Sequence, residues 1–341
     1  MPTTRARFLA LGAVVILAVA VVPGPADAAG TTAVAVEVKV YPVPEGDGPH
    51  DAAPAPDGTI WYSAQGAGAL GIIDLATGEV RHVPLGEGSA PHGVVQWPDG
   101  AAWLTDGGLN AIVRVEPATG QVKAWTLPEE ASYANLNTAA FDRAGVLWFT
   151  GQAGIYGRLE PGSGEMRVWK DPDGPGPYGI TTTPDGRIFY ASLAGSHIAE
   201  IDTTTGEKHR IDPPTAGQGA RRVWADSKGD IWVSEWNSGQ LSRYTPANGT
   251  WKAWKLPGPT PRAYAVYVDP NDNVWVSDFS ANAVLSFDPA TEQFTASYAG
   301  SGPNANVRQI LGRKGEVFLP ESGLDRVVVV RTGAGGHSGT E

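Results

Sequence analysis

The chain has no cysteine, only two methionines, and a single long apolar run. Without cysteine there can be no disulfide, no thiolate nucleophile, no Cys-ligated zinc and no lipid attached through an N-terminal cysteine. Stability must therefore come from a packed core, and 341 residues are ample to build one. Positive charge is also in deficit: 25 Lys and Arg stand against 36 Asp and Glu, a net charge of −11. Such a surface argues against nucleic acid or anionic lipid as a partner. Helical periodicity is missing throughout.

The apolar run lies at the start. Arg5 and Arg7 precede the unbroken apolar stretch from Phe8 to Val22, and Ala26-Asp27-Ala28 follows with small residues at both positions a signal peptidase reads. The run is short for a membrane span of about 20 residues. Residues 1–28 therefore read as a secretory signal cleaved after Ala28, which implies a secreted or periplasmic protein with no membrane attachment after cleavage. They carry two arginines and one aspartate, so the remainder stands at −12.

What the chain does have is repetition. Seven β-rich segments place an aromatic residue in equivalent settings: Trp61, Trp103, Trp148, Phe189, Trp232, Trp275 and Phe318, spaced by 42, 45, 41, 43, 43 and 43 residues. A tight turn precedes each, as in Asp57-Gly58, Asp99-Gly100, Asp185-Gly186, Lys228-Gly229 and Asn271-Asp272. A second strand, a turn and a further strand follow, giving four short strands per unit. Four-stranded units at this period are the pattern of an all-β, seven-bladed β-propeller. The last unit lacks its outer strand, and Val36–Val40 supplies one at the other end of the chain. The ring is thus expected to close by pairing Val36–Val40 with Arg326–Val330. Residues 36–331 form the propeller, and 332–341 are a Gly/Ser-rich tail expected to be disordered.

Function must come from side chains converging on the channel mouth. Eleven residues before each repeat aromatic stand His50, His92, Asn137, Tyr178, Arg221, Tyr264 and Val307. Three residues after it stand Ala64, Asp106, Gly151, Ser192, Glu235, Asp278 and Glu321, with Arg222 and Arg308 one step past the first ring. The carboxylates have a structural reading as well, since acids at strand ends cap turns or pair with a neighbouring arginine. His82, His209 and His337 fall in outer strands or the tail and read as structural. His50 and His92 occupy one equivalent position in adjacent blades, and imidazole is the usual general base near neutral pH.

Pro91-His92-Gly93-Val94 with Trp103-Leu104-Thr105-Asp106, Pro177-Tyr178-Gly179-Ile180, Leu147-Trp148-Phe149-Thr150 and Ile231-Trp232-Val233-Ser234-Glu235 together resemble the virginiamycin B lyase (streptogramin B lyase) family of seven-bladed propellers. The resemblance covers about residues 36 to 331. It implies a carbon–oxygen lyase that opens a cyclic depsipeptide at its ester by elimination, with Mg2+ held by carboxylates. By motif the catalytic base falls on His92, a metal-holding carboxylate on Asp106, and a substrate-binding histidine on His50; Tyr178, Arg222 and Tyr264, from their rim positions, are further substrate-binding candidates. The family's second carboxylate position is Ala90 here, Asp106 replaces a glutamate, and the histidine pair sits in the first two blades rather than the last two.

Two other readings stand beside it. One is a non-catalytic propeller that presents its mouth to a peptide, glycan or cell-wall ligand. The other is a lactone hydrolase of the gluconolactonase type, with Asn137, Glu235, Asp278 and Glu321 as oxygen donors to a metal. Arg308 is a further channel candidate. All three readings place a small-molecule or peptide-like ligand in the channel mouth of a monomer.

Overall fold

A computed structural model describes residues 37–332 except 98 and 301. The signal-peptide reading of residues 1–28 and the tail from 333 onward lie outside the described residues. The chain forms seven four-stranded antiparallel sheets, and the only helix among the described residues is the 3-10 turn Glu129–Ala131. The innermost strands of blades 1 to 7 are Pro49–Pro54, Pro91–Gln96, Leu136–Phe141, Pro177–Thr182, Ala220–Ala225, Ala263–Val268 and Leu311–Arg313. In each blade the next strand carries the repeat aromatic, and all seven aromatics are at most 4 % exposed. They are the cores of the blade–blade contacts, as their mid-strand position after a hairpin turn requires.

The ring closes as expected. Glu37–Pro42 pairs antiparallel with Arg326–Arg331, from Glu37 opposite Arg331 to Pro42 opposite Arg326. Arg331 joins Glu37 and Glu316 across that closure, each at 3.1 Å. The Asp325 carboxylate accepts the Gly46 and Gly48 N–H groups at 2.9 and 2.8 Å. Closure leaves no blade with an uncovered face. Blade 7 is the irregular one: its innermost strand shrinks to three residues, with Val307 bridged singly to Glu321.

The feature that builds the rim is a repeated irregularity. In blades 1 to 6 the pairing of the innermost strand with its neighbour slips at the rim residue, as between Pro49 and Ala52 or between Pro91 and Gly93. A bulge of this kind re-aims side chains and lets two consecutive residues face one region. A hydroxyl two residues past the aromatic locks it. Ser63 Oγ accepts the Asp51 N–H at 2.9 Å and donates to the His92 carbonyl of the next blade at 2.7 Å. Thr105 does the same for Gly93 and Asn137, Ser234 for Arg222 and Tyr264, and Ser277 for Ala265 and Val307. Each rim residue is thus held from its own blade and from the preceding one. At Gly93 a side chain is excluded, because a Cβ would stand 2.8 Å from the Asn137 carbonyl oxygen.

Candidate functional site at the channel mouth

The bulges bring residues from distant parts of the chain together. The His50 and His92 rings lie 3.7 Å apart between centroids, tilted by 41°. His50 Nδ1 is 2.7 Å from Asp51 Oδ1, and the same carboxylate oxygen takes the Arg222 guanidinium at 3.2 Å. Arg222 also donates to Thr138 Oγ1 at 2.7 Å, which donates in turn to Asn137 Oδ1 at 2.7 Å. That fixes the Asn137 amide nitrogen toward His92 Nε2, at 3.3 Å. The network sets the tautomers. His50 carries its proton on Nδ1 for Asp51, leaving the Nε2 lone pair. His92 accepts at Nε2, and its Nδ1 is buried without a partner.

Both imidazoles are held neutral. Burial pulls the His50 pKa well below its ordinary value, and the Arg222, Arg308 and Arg221 charges pull the same way. Burial does the same to His92, with His50 as the next contributor. Asp51 is pushed up by burial, against the pull of Arg222.

Beyond the histidines the rim turns aromatic and basic. His92 meets the Tyr178 ring edge-on at 6.4 Å. The Tyr178 and Tyr264 hydroxyls are 2.7 Å apart. Arg221 lies 3.6 Å over the Tyr264 ring and 4.6 Å over Trp236, and donates to the Tyr178 hydroxyl at 3.2 Å. Arg308 lies 5.2 Å over Phe279 and 5.8 Å over Tyr264, and bonds Ser322 at 3.2 Å. Burial pushes Tyr178 up to about 12, with Tyr264 adding to it. Burial acts on Tyr264 in the same sense, but Arg221, Arg222 and Arg308 outweigh it and hold that phenol below its usual range. A cavity of about 430 Å3 adjoins this layer, lined by Asp51, Thr138, Arg222 and Gln309 together with apolar residues that include Trp97 and Trp224.

The first ring of expected site residues therefore does converge: His50, His92, Asn137, Tyr178, Arg221 and Tyr264 form one connected layer, with Arg222 joined to it through Asp51 and Thr138 and Arg308 on its edge. The second ring does not join it. Asp106 is fully buried and accepts from Ser89 Oγ at 2.5 Å and from the Ala90 and Leu109 N–H groups at 2.9 Å each. Asp278 accepts the Arg262 and Ser280 N–H groups at 3.0 Å. Glu235 accepts from Ser238 at 2.6 Å, and Glu321 pairs with Arg326 at 3.1 Å and with the Tyr298 hydroxyl. These acids shape the loops after their strands. The carboxylate that stands beside the histidines is Asp51, which reading by repeat position passed over.

A profile of the virginiamycin B lyase family matches residues 23–305. The chain belongs to that family. Virginiamycin B lyase from Staphylococcus aureus, as selenomethionine protein, superposes with a TM-score of 0.80 at 18 % identity, over 87 % of this chain and 99 % of that one. A catalytically inactive variant of the S. aureus enzyme with quinupristin gives 0.80 at 20 % identity, over 87 % and 99 %. The extracellular domain of a one-component system from B. thetaiotaomicron gives 0.64 at 15 % identity, over 86 % of this chain and 38 % of that one. At such identities the superpositions speak for the fold. No curated protein sequence matches at a significant level. Among the described residues no helix is long and apolar enough to cross a membrane.

Family membership raises the question of magnesium, which prefers six oxygen donors in an octahedron. Among the described residues the group that could converge on an ion is His50, Asp51 and His92, two nitrogens and one carboxylate. The Asp51 oxygen nearest the imidazole is already shared with Arg222, both oxygens of Asp106 are occupied, and position 90 is alanine. These residues do not fit magnesium.

Proposed function

We propose that this chain is a carbon–oxygen lyase that opens a cyclic depsipeptide ester of the streptogramin B kind by elimination. The observation that carries this reading is the pair of neutral, touching imidazoles, His50 and His92, set at the mouth by Asp51 and Asn137. A base for an α-proton must be unprotonated at working pH and have a lone pair within reach of the substrate. Burial and the neighbouring arginines secure the first condition. Among the described residues His50 Nε2 has no hydrogen-bond partner and, unlike His92 Nδ1, is not sealed off. Proton removal falls to this pair, with His50 Nε2 the better-placed atom and His92 packed against it to hold its ring. No step is routed through a metal. The extracytoplasmic location implied by the N-terminal pattern agrees with a substrate met outside the cell.

The test is an elimination assay on a streptogramin B, following the new C=C absorbance, with wild type, His50→Ala and His92→Ala. Loss of a general base costs on the order of 10²–10⁴-fold in rate. Both variants are expected to lose turnover while keeping the wild-type melting temperature. Unchanged turnover in both would refute the reading. A binding propeller without catalysis is the second reading, favoured by the commitment of Asp106 to its loop; it predicts ligand binding with no product from wild type.

A further inference from the structure

Elimination of a carboxylic ester leaves its negative charge on the departing oxygen. As the Cα–H bond breaks, its proton passes to the imidazole and a Cα=Cβ double bond forms. As the Cβ–O bond breaks, its electron pair stays on oxygen, and the leaving group departs as a carboxylate. A site for this reaction needs a cation where that carboxylate forms.

The rim holds more positive charge than its own residues neutralise. Arg222 is paired with Asp51. Arg221 and Arg308, in contrast, form no ion pair among the described residues, although both lie over the one Tyr264 ring. Arg221 also keeps a buried Nε without a partner. Two guanidinium groups gathered at one aromatic ring, with no carboxylate paired to either among the described residues, give up hydration that an anion would restore. Guanidinium suits a carboxylate in particular, because its planar donors match the two oxygens. The walls beside them are the half-buried rings of Trp236 and Phe279, which offer an apolar surface to the rest of such a ligand. Tyr264 and Tyr178 connect this place to His92.

We infer that Arg221 and Arg308 form a binding site for a carboxylate bearing an apolar or aromatic group, and that it receives the acid released by the elimination. This rests on the lyase reading for its role in catalysis, but the site itself can be tested without turnover.

The probe is phenylacetate, titrated by calorimetry into the full chain at low salt with a chelator present, with acetate and inorganic phosphate as parallel ligands. Wild type should bind phenylacetate more tightly than acetate, and the affinity should fall as salt is raised. Arg221→Met and Arg308→Met should each weaken binding about tenfold or more, the scale of one charge-assisted hydrogen bond. Lys123→Met, on an outer strand of blade 2, should bind as wild type. No binding by wild type, or wild-type affinity in both arginine variants, would overturn the site. Phosphate binding as tightly as phenylacetate would overturn the assignment to an apolar carboxylate. Binding that depends on the arginines, in a protein that eliminates no ester, would keep the site and remove the lyase reading.

Discussion

Blades 3, 5 and 6 close their first hairpin on an aspartate–indole hydrogen bond, and blades 1 and 2 do not. Trp148, Trp232 and Trp275 each donate their indole N–H to an aspartate six residues earlier, Asp142, Asp226 and Asp269, at 2.9 to 3.1 Å. In blades 1 and 2 that position holds Ala55 and Trp97, and the Trp61 and Trp103 indole nitrogens are buried without a partner. These two blades are the ones that carry the histidines. The difference shows that the repeat has two separable layers. The aromatic core is common to all seven blades, whereas the polar clamp on it can be dropped where a blade does other work. A buried donor left unpaired costs about 1–3 kcal/mol, so blades 1 and 2 are expected to be the weaker part of the ring.

The comparison breaks most decisively at the core itself. Trp232→Ala should destabilise by about 3–5 kcal/mol, as large aromatic truncations do, read by urea unfolding; a loss under about 1 kcal/mol would mean the aromatic is not the core of its blade. Next comes the clamp. Asp226→Ala removes the acceptor of Trp232 and of the Lys228 and Asp230 N–H groups, and should cost about 2–3 kcal/mol. Equal stability in that variant would show that the clamp does not distinguish the two sets of blades.

Acid should find the histidine blades. His50 and His92 have folded-state pKa values lowered by burial from an ordinary 6.5. Below pH 6.5 the unfolded chain takes up protons that the folded chain refuses, so stability is full above that value and is lost as pH falls toward the folded pKa. Stability should therefore be lower at pH 5.5 than at pH 7.5, with both histidines contributing in that sense. A His50→Gln/His92→Gln variant should show a flatter acid limb in chemical unfolding at both pH values; an unchanged limb would place the acid sensitivity elsewhere. The smallest effect is a gain. Ala55→Asp puts the missing acceptor into the same turn geometry, since Ala55 already bonds Thr59 and Gly58 as Asp142 bonds Val146 and Gly145. It should raise stability by about 0.5–1.5 kcal/mol, and no gain would show that the Trp61 indole is not in reach.

Much of this was legible in advance because it is local. Turn residues, alternating strands and a recurring aromatic specify each hairpin within about 40 residues. The hairpin turns show how far that reaches: Gly58, Gly229 and Gly315 have positive φ, and at the equivalent place in blade 6 Asp272 takes it. The rim positions eleven residues before each aromatic were readable for the same reason. Asp51 was not, because an alternating strand would turn it away from His50; only the bulge brings both to the mouth. Asp106 was misleading in the opposite sense, since an acid at a strand end reads alike whether it faces a ligand or caps a loop.

The sequence by itself determined the blades, their number, the strand that closes the ring and which residues stand at the rim, since each depends on short-range pattern repeated seven times. The tertiary structure alone decided which rim residues touch. Asp51 meets Arg222 across 171 positions, and Tyr178 meets Tyr264 across 86. No local propensity encodes such contacts; they follow from closing the circle and from the bulge at each inner strand. Closure buries the two imidazoles, which keeps them neutral, and gathers three arginines beside them with one carboxylate among them.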